Sequence, residues 1–122
     1  MGKFEIKKSP KGVSFNLIAS NGQVVATSQV YKSLRSAKAG IASIAKNAPI
    51  AEIEDQTEQP VAKKANPKFE VYSDKAGKTR FRLKARNSQI IAVGEAYETK
   101  KACLAGVASV QKNAADAKIV EA

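Results

Sequence analysis

Residues 15–26 read FNLIASNGQVVA and residues 81–92 read FRLKARNSQIIA. Phe, Leu, Ala, Asn, Gln and Ala recur at the same six places, 66 positions apart, and this repetition decides the fold. Carried to the end of the first half, the offset gives sixteen identities, among them Tyr31/Tyr97, Gly40/Gly106, Ser43/Ser109, Lys46/Lys112 and Asn47/Asn113. Upstream, KFEI from Lys3 matches KFEV from Lys68 at an offset of 65. The odd residue falls where Ser9–Gly12 corresponds to the longer Ser73–Gly77, and turns tolerate insertions that strands do not. The chain therefore divides into a first repeat at 1–55, a linker at 56–66 and a second repeat at 67–122. The linker is polar, contains Pro60 and has no apolar period.

Within each repeat the periods are legible. Phe4 and Ile6 alternate with Glu5 and Lys7, and Phe69 and Val71 with Glu70 and Tyr72, which predicts a first strand. A glycine-bearing turn leads to a second strand through Phe15 and Leu17, or Phe81 and Leu83. Asn21-Gly22 predicts a type I′ hairpin, whereas Asn87-Ser88 keeps only the Asn. Val24-Val25-Ala26 and Ile90-Ile91-Ala92 are apolar at successive positions, the pattern of a strand buried on both faces. After Tyr31 and Tyr97 the period lengthens. Ser33 and Thr99 are placed as N-caps, and Ala37, Ile41, Ile44 and Ala48 recur at helical spacing, as do Cys103, Val107, Val110 and Ala114. Gly40 and Gly106 lie beside those stripes, where a close approach of helix to sheet excludes a side chain. Ala51 with Ile53, and Ala117 with Ile119, predict a short closing strand. The unit is β-β-β-α-β, written twice.

These elements resemble the YegP-like family of uncharacterised bacterial proteins, here in tandem-duplicated form. The resemblance rests on the F-E-[IV] opening, the F-x-L strand, N-x-Q-[VI]-[VI]-A, the Tyr, and the Gly-containing helix ending in Lys-Asn-Ala. It implies an α+β fold: two repeats forming one antiparallel sheet, with exchanged C-terminal strands and both helices on one face. It also implies that single-module members pair as homodimers and that a tandem chain makes the same assembly internally, as a monomer. A unit of about 55 residues has a marginal core, so joining two is physically sensible. The resemblance carries no catalytic residue and no cofactor.

Composition narrows the function classes. Lys plus Arg is 21 against 11 for Asp plus Glu, a formal charge of +10. Such an excess attracts nucleic acid, anionic surfaces or acidic proteins. There is no apolar run long enough to span a membrane and no signal-peptide pattern, and position six, Ile6, breaks a myristoylation motif. One cysteine, Cys103, excludes an internal disulfide framework and fits a reducing compartment, so a cytoplasmic location is expected. The chain has no His, which removes imidazole acid–base chemistry, His-containing metal sites and Ser-His-Asp triads. Cys103 lies on the apolar stripe of the second helix, as a packed thiol. Gly77-Lys78-Thr79 lacks the remaining glycine and the helix of a phosphate-binding loop. Glu52, Glu54 and Asp55 read as a solvated strand end, and a divalent-cation site there has nothing to fix its oxygens. Tyr31 and Tyr97 read as packing residues with hydrogen-bonded hydroxyls. No catalytic, cofactor or metal site is expected.

One stretch remains. TRFRLKAR, residues 79–86, places Arg80, Arg82, Lys84 and Arg86 at alternate positions, where the first repeat has Ser14, Asn16, Ile18 and Ser20. The fold therefore does not require these cations. Alternation predicts that they share the face opposite the helices, with Lys75 and Lys78 extending the row, as a candidate polyanion site. Against this, Glu70 is placed to pair across the strand and Tyr72 to stack on an Arg. An RNA-reading sheet would also show more exposed aromatics. The expectation is a non-enzymatic interaction module with an unknown protein partner, favoured by apolar residues such as Ile18 on the outer face. Weak, salt-dependent nucleic-acid or polyanion binding is the alternative, and an enzyme of unrecognised type a distant third.

Overall fold

The computed structural model describes residues 2–121. The first repeat contributes β1 (Lys3–Ser9), β2 (Gly12–Ile18), β3 (Val24–Thr27), α1 (Leu34–Asn47) and β4 (Glu52–Asp55). The second contributes β5 (Lys68–Ser73), β6 (Thr79–Lys84), β7 (Ile90–Val93), α2 (Lys100–Ala114) and β8 (Lys118–Glu121). Ser33 and Thr99 cap the helices as their sequence positions predict, each side-chain oxygen accepting from the backbone N–H three residues on at 3.1 Å.

The eight strands form one sheet in the order β4-β5-β6-β7-β3-β2-β1-β8. The last strand of each repeat thus adds to the other repeat, and the halves meet at β3 and β7. The expectation of a wholly antiparallel sheet is corrected at both edges: β4 pairs with β5, and β8 with β1, in parallel. Antiparallel pairing follows from short hairpins. A strand delivered by a helical crossover escapes that constraint.

The helices cover one face. α1 packs across β2 and β7, and α2 across β3, β5 and β6, so each bridges the two repeats. Phe4, Phe15, Phe69 and Phe81 are buried beneath them, together with Ile6, Leu17, Val71 and Leu83. Tyr31 and Tyr97 lie near-parallel to Phe15 and Phe81, with ring centroids 6.0 and 6.3 Å apart. An added Cβ at Gly40 would sit 2.4 Å from the Tyr31 hydroxyl, and one at Gly106 2.3 Å from that of Tyr97. Close approach is thus the reason for both mid-helix glycines.

Two local expectations change. The apolar doublets in β3 and β7 do not mark burial on both faces. Leu17 pairs with Ala26 and Ile18 with Val24, so Val25 is the extra residue of a β-bulge, and Ile91 repeats it. A bulge lets two successive residues favour one side. Val25 and Ala26 are both buried, while Ile90 is 40% exposed. The hairpin turns are three-residue loops and not type I′ turns. Ala19 N–H donates to the Gln23 carbonyl and Gly22 N–H to Ala19, with φ +85° at Gly22. Ser88 takes the same left-handed place with φ +71°. Asn21 and Asn87 Oδ1 accept from the backbone N–H two residues on, which accounts for Asn in both copies.

Candidate functional site

The helix-free face carries the candidate residues, and its second half is an ion network. Pleating turns Arg80, Arg82 and Lys84 outward on β6, opposite Tyr72, Glu70 and Lys68 of β5. Arg82 Nε donates to Glu70 Oε1 at 2.6 Å, and Lys84 and Lys68 Nζ each lie 3.4 Å from Glu70 Oε2. The Arg82 guanidinium sits 4.8 Å from the Tyr72 ring centroid. Both the pairing and the stacking predicted for this strand are formed. Lys68 Nζ also reaches Glu54 Oε1 at 2.9 Å, which links β5 to the exchanged strand β4.

Glu54 departs from expectation. It is no solvated strand end: it is 3% exposed. Its oxygens accept from Gln56 Nε2 at 2.7 Å and from Lys64 backbone N–H at 2.8 Å. The segment between the repeats therefore folds back onto the sheet and is held there by a buried carboxylate. Hydrogen bonds from Gln56, Lys68 and the Lys64 backbone hold the Glu54 carboxyl down at about 2. For Glu70, burial pushes the pKa up, but the Arg82 hydrogen bond and the Arg82 and Lys84 charges outweigh it and leave a lowered pKa. Lys68 is raised, chiefly by its hydrogen bond to Glu54. Asp55 points to the helix side; burial pushes its carboxyl up, but the hydrogen bonds from Lys100 and Thr57 together outweigh it and leave the pKa lowered.

The other candidate cations divide. Arg80 Nε donates to Asp74 Oδ2 at 2.7 Å, and Asp74 Oδ1 also accepts from the Ala76 and Lys78 backbone. Lys78 pairs with Glu98. Lys75 is exposed on the turn. Arg86 lies beyond the end of β6, so the alternation that would place it with the other three has stopped. It borders α1 on the helix side, lining a shallow depression with Lys46. The structure thus brings Arg80, Arg82 and Lys84 onto one face, each beside a carboxylate, and leaves Arg86 out. The sequence reading missed Asp74 and Glu54 as partners. Asp74 was findable, because hairpin register counted from the turn places it near Arg80. Glu54 carried no such signal, since its neighbours arrive through strand exchange.

Where the repeats meet, the same face is aliphatic. Ile18 pairs with Val24, Thr27 with Val93, and Ile90 with Lys84. These side chains are half-buried, with Ile90 more open. Elsewhere, Cys103 is fully buried, and burial first, then the Asp55 charge, pushes its thiol up to about 11. The Tyr31 and Tyr97 hydroxyls take no hydrogen bond among the described residues, contrary to expectation; close packing on glycine occupies that side. Burial raises the Tyr97 pKa. Among the described residues no cluster of acidic or sulfur side chains is placed to hold a metal ion, and no helix is long and apolar enough to cross a membrane.

A family model described as a domain of unknown function, DUF1508, matches twice, at residues 11–55 and 74–121. The UPF0339 protein YegP of Yersinia pestis is 41% identical over 114 residues, covering 93% of this chain and 88% of that protein. A UPF0339 protein of Treponema denticola is 65% identical over 54 residues, only 44% of this chain but 93% of its own length, so it corresponds to one repeat. Solution structures of yegP from E. coli, titled a protein of unknown function, and of a UPF0339 protein from Shewanella oneidensis superimpose with TM-scores of 0.78 and 0.80. Their identities are 35% and 30%; each comparison covers 98% of this chain, and 91% and 90% of the respective structures. With both repeats matched by the family model and the full-length fold shared, the chain belongs to the YegP-like (UPF0339) family, in its tandem-duplicated form.

Proposed function

We propose that this protein is a non-enzymatic interaction module of the cytoplasm that holds a protein partner on the helix-free face of its sheet. The aliphatic strip of Ile18, Val24, Val93 and Ile90 carries this reading. It lies at the meeting of the repeats, where these aliphatic side chains share that face beside the charged strands β5 and β6, and such apolar surface favours protein contact. The repeats complete each other's core within one chain, so the module acts as a monomer. A single free, buried cysteine supports the reducing compartment. Catalysis has no comparable support, since the chain lacks His and its one thiol is buried and protonated at neutral pH.

The test is a pull-down with immobilised protein at low and high salt, comparing the wild type with Val24→Ser plus Ile90→Ser. A specific partner retained at high salt and lost on the double substitution supports the reading. Partners that vanish with salt, or that ignore the substitutions, sink it.

Polyanion binding through Arg80, Arg82, Lys84, Arg86, Lys75 and Lys78 is a second reading. It draws support only from Lys75 and Arg86, which make no ion pair among the described residues. Arg82→Ser is a poor test, because it removes the closest partner of the buried Glu70 and so perturbs the fold as well as the charge. Lys75→Ser plus Arg86→Ser isolates the charge: weaker binding to mixed oligonucleotides, with a shallower salt dependence, supports this reading, and unchanged binding removes it.

A further inference from the structure

Of the sixteen positions identical in the two repeats, five are exposed in both: Asn21/Asn87, Gln23/Gln89, Ala39/Ala105, Ala42/Ala108 and Lys46/Lys112. Exposed positions elsewhere have drifted, as at Lys32/Glu98, Ile50/Asp116 and Glu52/Lys118. On the α1 side all five border one groove on the helix face. Ala39, Ala42 and Lys46 come from the helix, and Asn87 and Gln89 from the β6–β7 turn of the other repeat. Its counterpart beside α2 is bordered by Ala105, Asn21 and Gln23. The fold accounts for Asn21 and Asn87, which brace their turns. It does not account for the Gln23 and Gln89 carboxamides, which make no hydrogen bond among the described residues. Exposed polar side chains kept in both copies without a structural task point to a ligand.

The middle of each groove is uncharged. No charged residue lines the space of about 320 Å³ beside α1 or that of about 350 Å³ beside α2, in a chain that is 26% charged. Lys46 and Arg86 stand only at one end of the α1 groove. At the corresponding end beside α2, Ser20 takes the place of Arg86 and Asp116 accompanies Lys112. Ionic recognition is therefore not what the two grooves share. They share an excess of donors. Asn87 Oδ1 is taken by the Gln89 N–H, and Ser43 Oγ accepts from Asn47 Nδ2, so Asn87 Nδ2 and the Ser43 hydroxyl proton are left to donate. Asn21 and Ser109 repeat both arrangements. The Tyr31 and Tyr97 hydroxyls, held against Gly40 and Gly106, belong to residues lining the same spaces and have no partner among the described residues. A neutral ligand that suits such a site is rich in carbonyl oxygen. A polyol brings a donor with every oxygen and matches it less well.

We infer that the two grooves are twin sites for the extended main chain of a peptide, whose carbonyls accept from the Tyr, Ser and Asn donors and whose N–H groups reach the Gln side-chain carbonyl. The uncharged part of the α1 groove follows the helix from Ser36 to Ser43, a rise of roughly 10 Å. An extended chain advances ~3.3 Å per residue, so each site holds about three residues of main chain. A site that small, made of neutral groups, binds weakly and reads the backbone more than the side chains. The pseudo-symmetry sets the stoichiometry at two peptides per chain. The grooves lie on the helix face and the aliphatic strip on the opposite one, so neither surface depends on the other.

The test is a titration of isotope-labelled protein, followed by backbone amide shifts, with a capped, uncharged alanine-glycine peptide of about five residues. The expected result is two sets of shifts, at residues 36–43 with 85–91 and at 102–109 with 21–25. Both should show a Kd in roughly the millimolar range that is unchanged between about 50 and about 500 mM salt. Tyr31→Phe plus Gln89→Ala should weaken the α1 site about tenfold and leave the α2 site as it was, and Tyr97→Phe plus Gln23→Ala should do the reverse. Both pairs remove side-chain groups with no internal partner, and unchanged thermal melts check that the fold is kept. Binding at one groove only, binding that weakens with salt, variants without effect, or no shifts up to about 20 mM peptide each overturn the inference. Maltopentaose run in parallel is the remaining control, and if it binds the grooves as well as the peptide does, the peptide assignment is wrong.

Discussion

Glu54→Gln isolates the buried carboxylate that holds the segment between the repeats onto the sheet. Gln keeps the shape and can still accept from the Lys64 N–H, so the substitution removes mainly charge. The drop of the Glu54 pKa from 4.5 to about 2 corresponds to about 3 kcal/mol of preference for the ionised form in the folded state. Because the folded value is the lower one, this stabilisation is complete above the unfolded pKa and is lost as pH falls from 4.5 toward 2. Half of it remains at roughly pH 3.2. Urea unfolding at pH 7 should therefore show E54Q less stable than wild type by about 2–3 kcal/mol, allowing for some screening at this shallow site. The gap should hold at pH 5 and narrow by about half near pH 3.2. Trypsin should also cut after Lys63 or Lys64 faster in the variant, since the strap they belong to is anchored on this carboxylate. A gap that stays constant from pH 7 to 3 would show that Gln disrupts packing and not an ion network. No gap at pH 7 would mean that Glu54 anchors nothing.

Gly106→Ala should destabilise by about 1–3 kcal/mol through overpacking against Tyr97, although Ala is the better helix former; thermal melts should show Tyr97→Phe restoring part of the loss. Full tolerance of the single substitution would remove close approach as the reason for the glycine. Cys103 should resist thiol-modifying reagents at pH 8 in the native protein and react at once in denaturant; rapid native labelling would contradict a fully buried thiol raised to about 11. Ser88→Gly should raise stability by about 0.5–1 kcal/mol, because Ser holds φ +71° and its hydroxyl gains only an exposed bond from Asn66. A loss of stability in urea melts would show that the Asn66 contact outweighs the backbone strain.

Local rules in the sequence hold wherever neighbours come from the same hairpin or the same helix. Phe15 and Phe81 face the helices because pleating alternates, Ser33 and Thr99 cap because they precede an apolar helical period, and Glu70 meets Arg82 because a hairpin fixes register. They fail where an extra residue or another part of the chain intervenes. The bulge at Val25 and Ile91 breaks the period of two, which is why successive apolar residues read as burial on both faces. The end of β6 at Lys84 stops the alternation before Arg86 and carries that cation to the helix side.

The basic strand is the instructive case. Compared copy with copy, Arg82 and Lys84 replace Asn16 and Ile18, and the substitution looks like a surface gained for an external anion. Strand exchange makes that comparison incomplete, since the edge of each half is supplied by the other repeat. The position beside β5 belongs to Glu54 of the first repeat, whereas the equivalent position beside β1 belongs to Val120 of the second. The half that receives Glu54 also holds Lys68, Glu70, Arg82 and Lys84 within one network under the returning strap. The half that receives Val120 has Ile18 and Asn16 in the matching places, and among the described residues Glu5 pairs with Lys7 alone, at 3.7 Å. The cations of β6 thus have internal partners first, Asp74 and Glu70 of their own repeat, while Lys68 of β5 joins that network to the exchanged Glu54. Cations that remain without such partners, Arg86 and Lys46 among them, are the ones to test against an outside ligand.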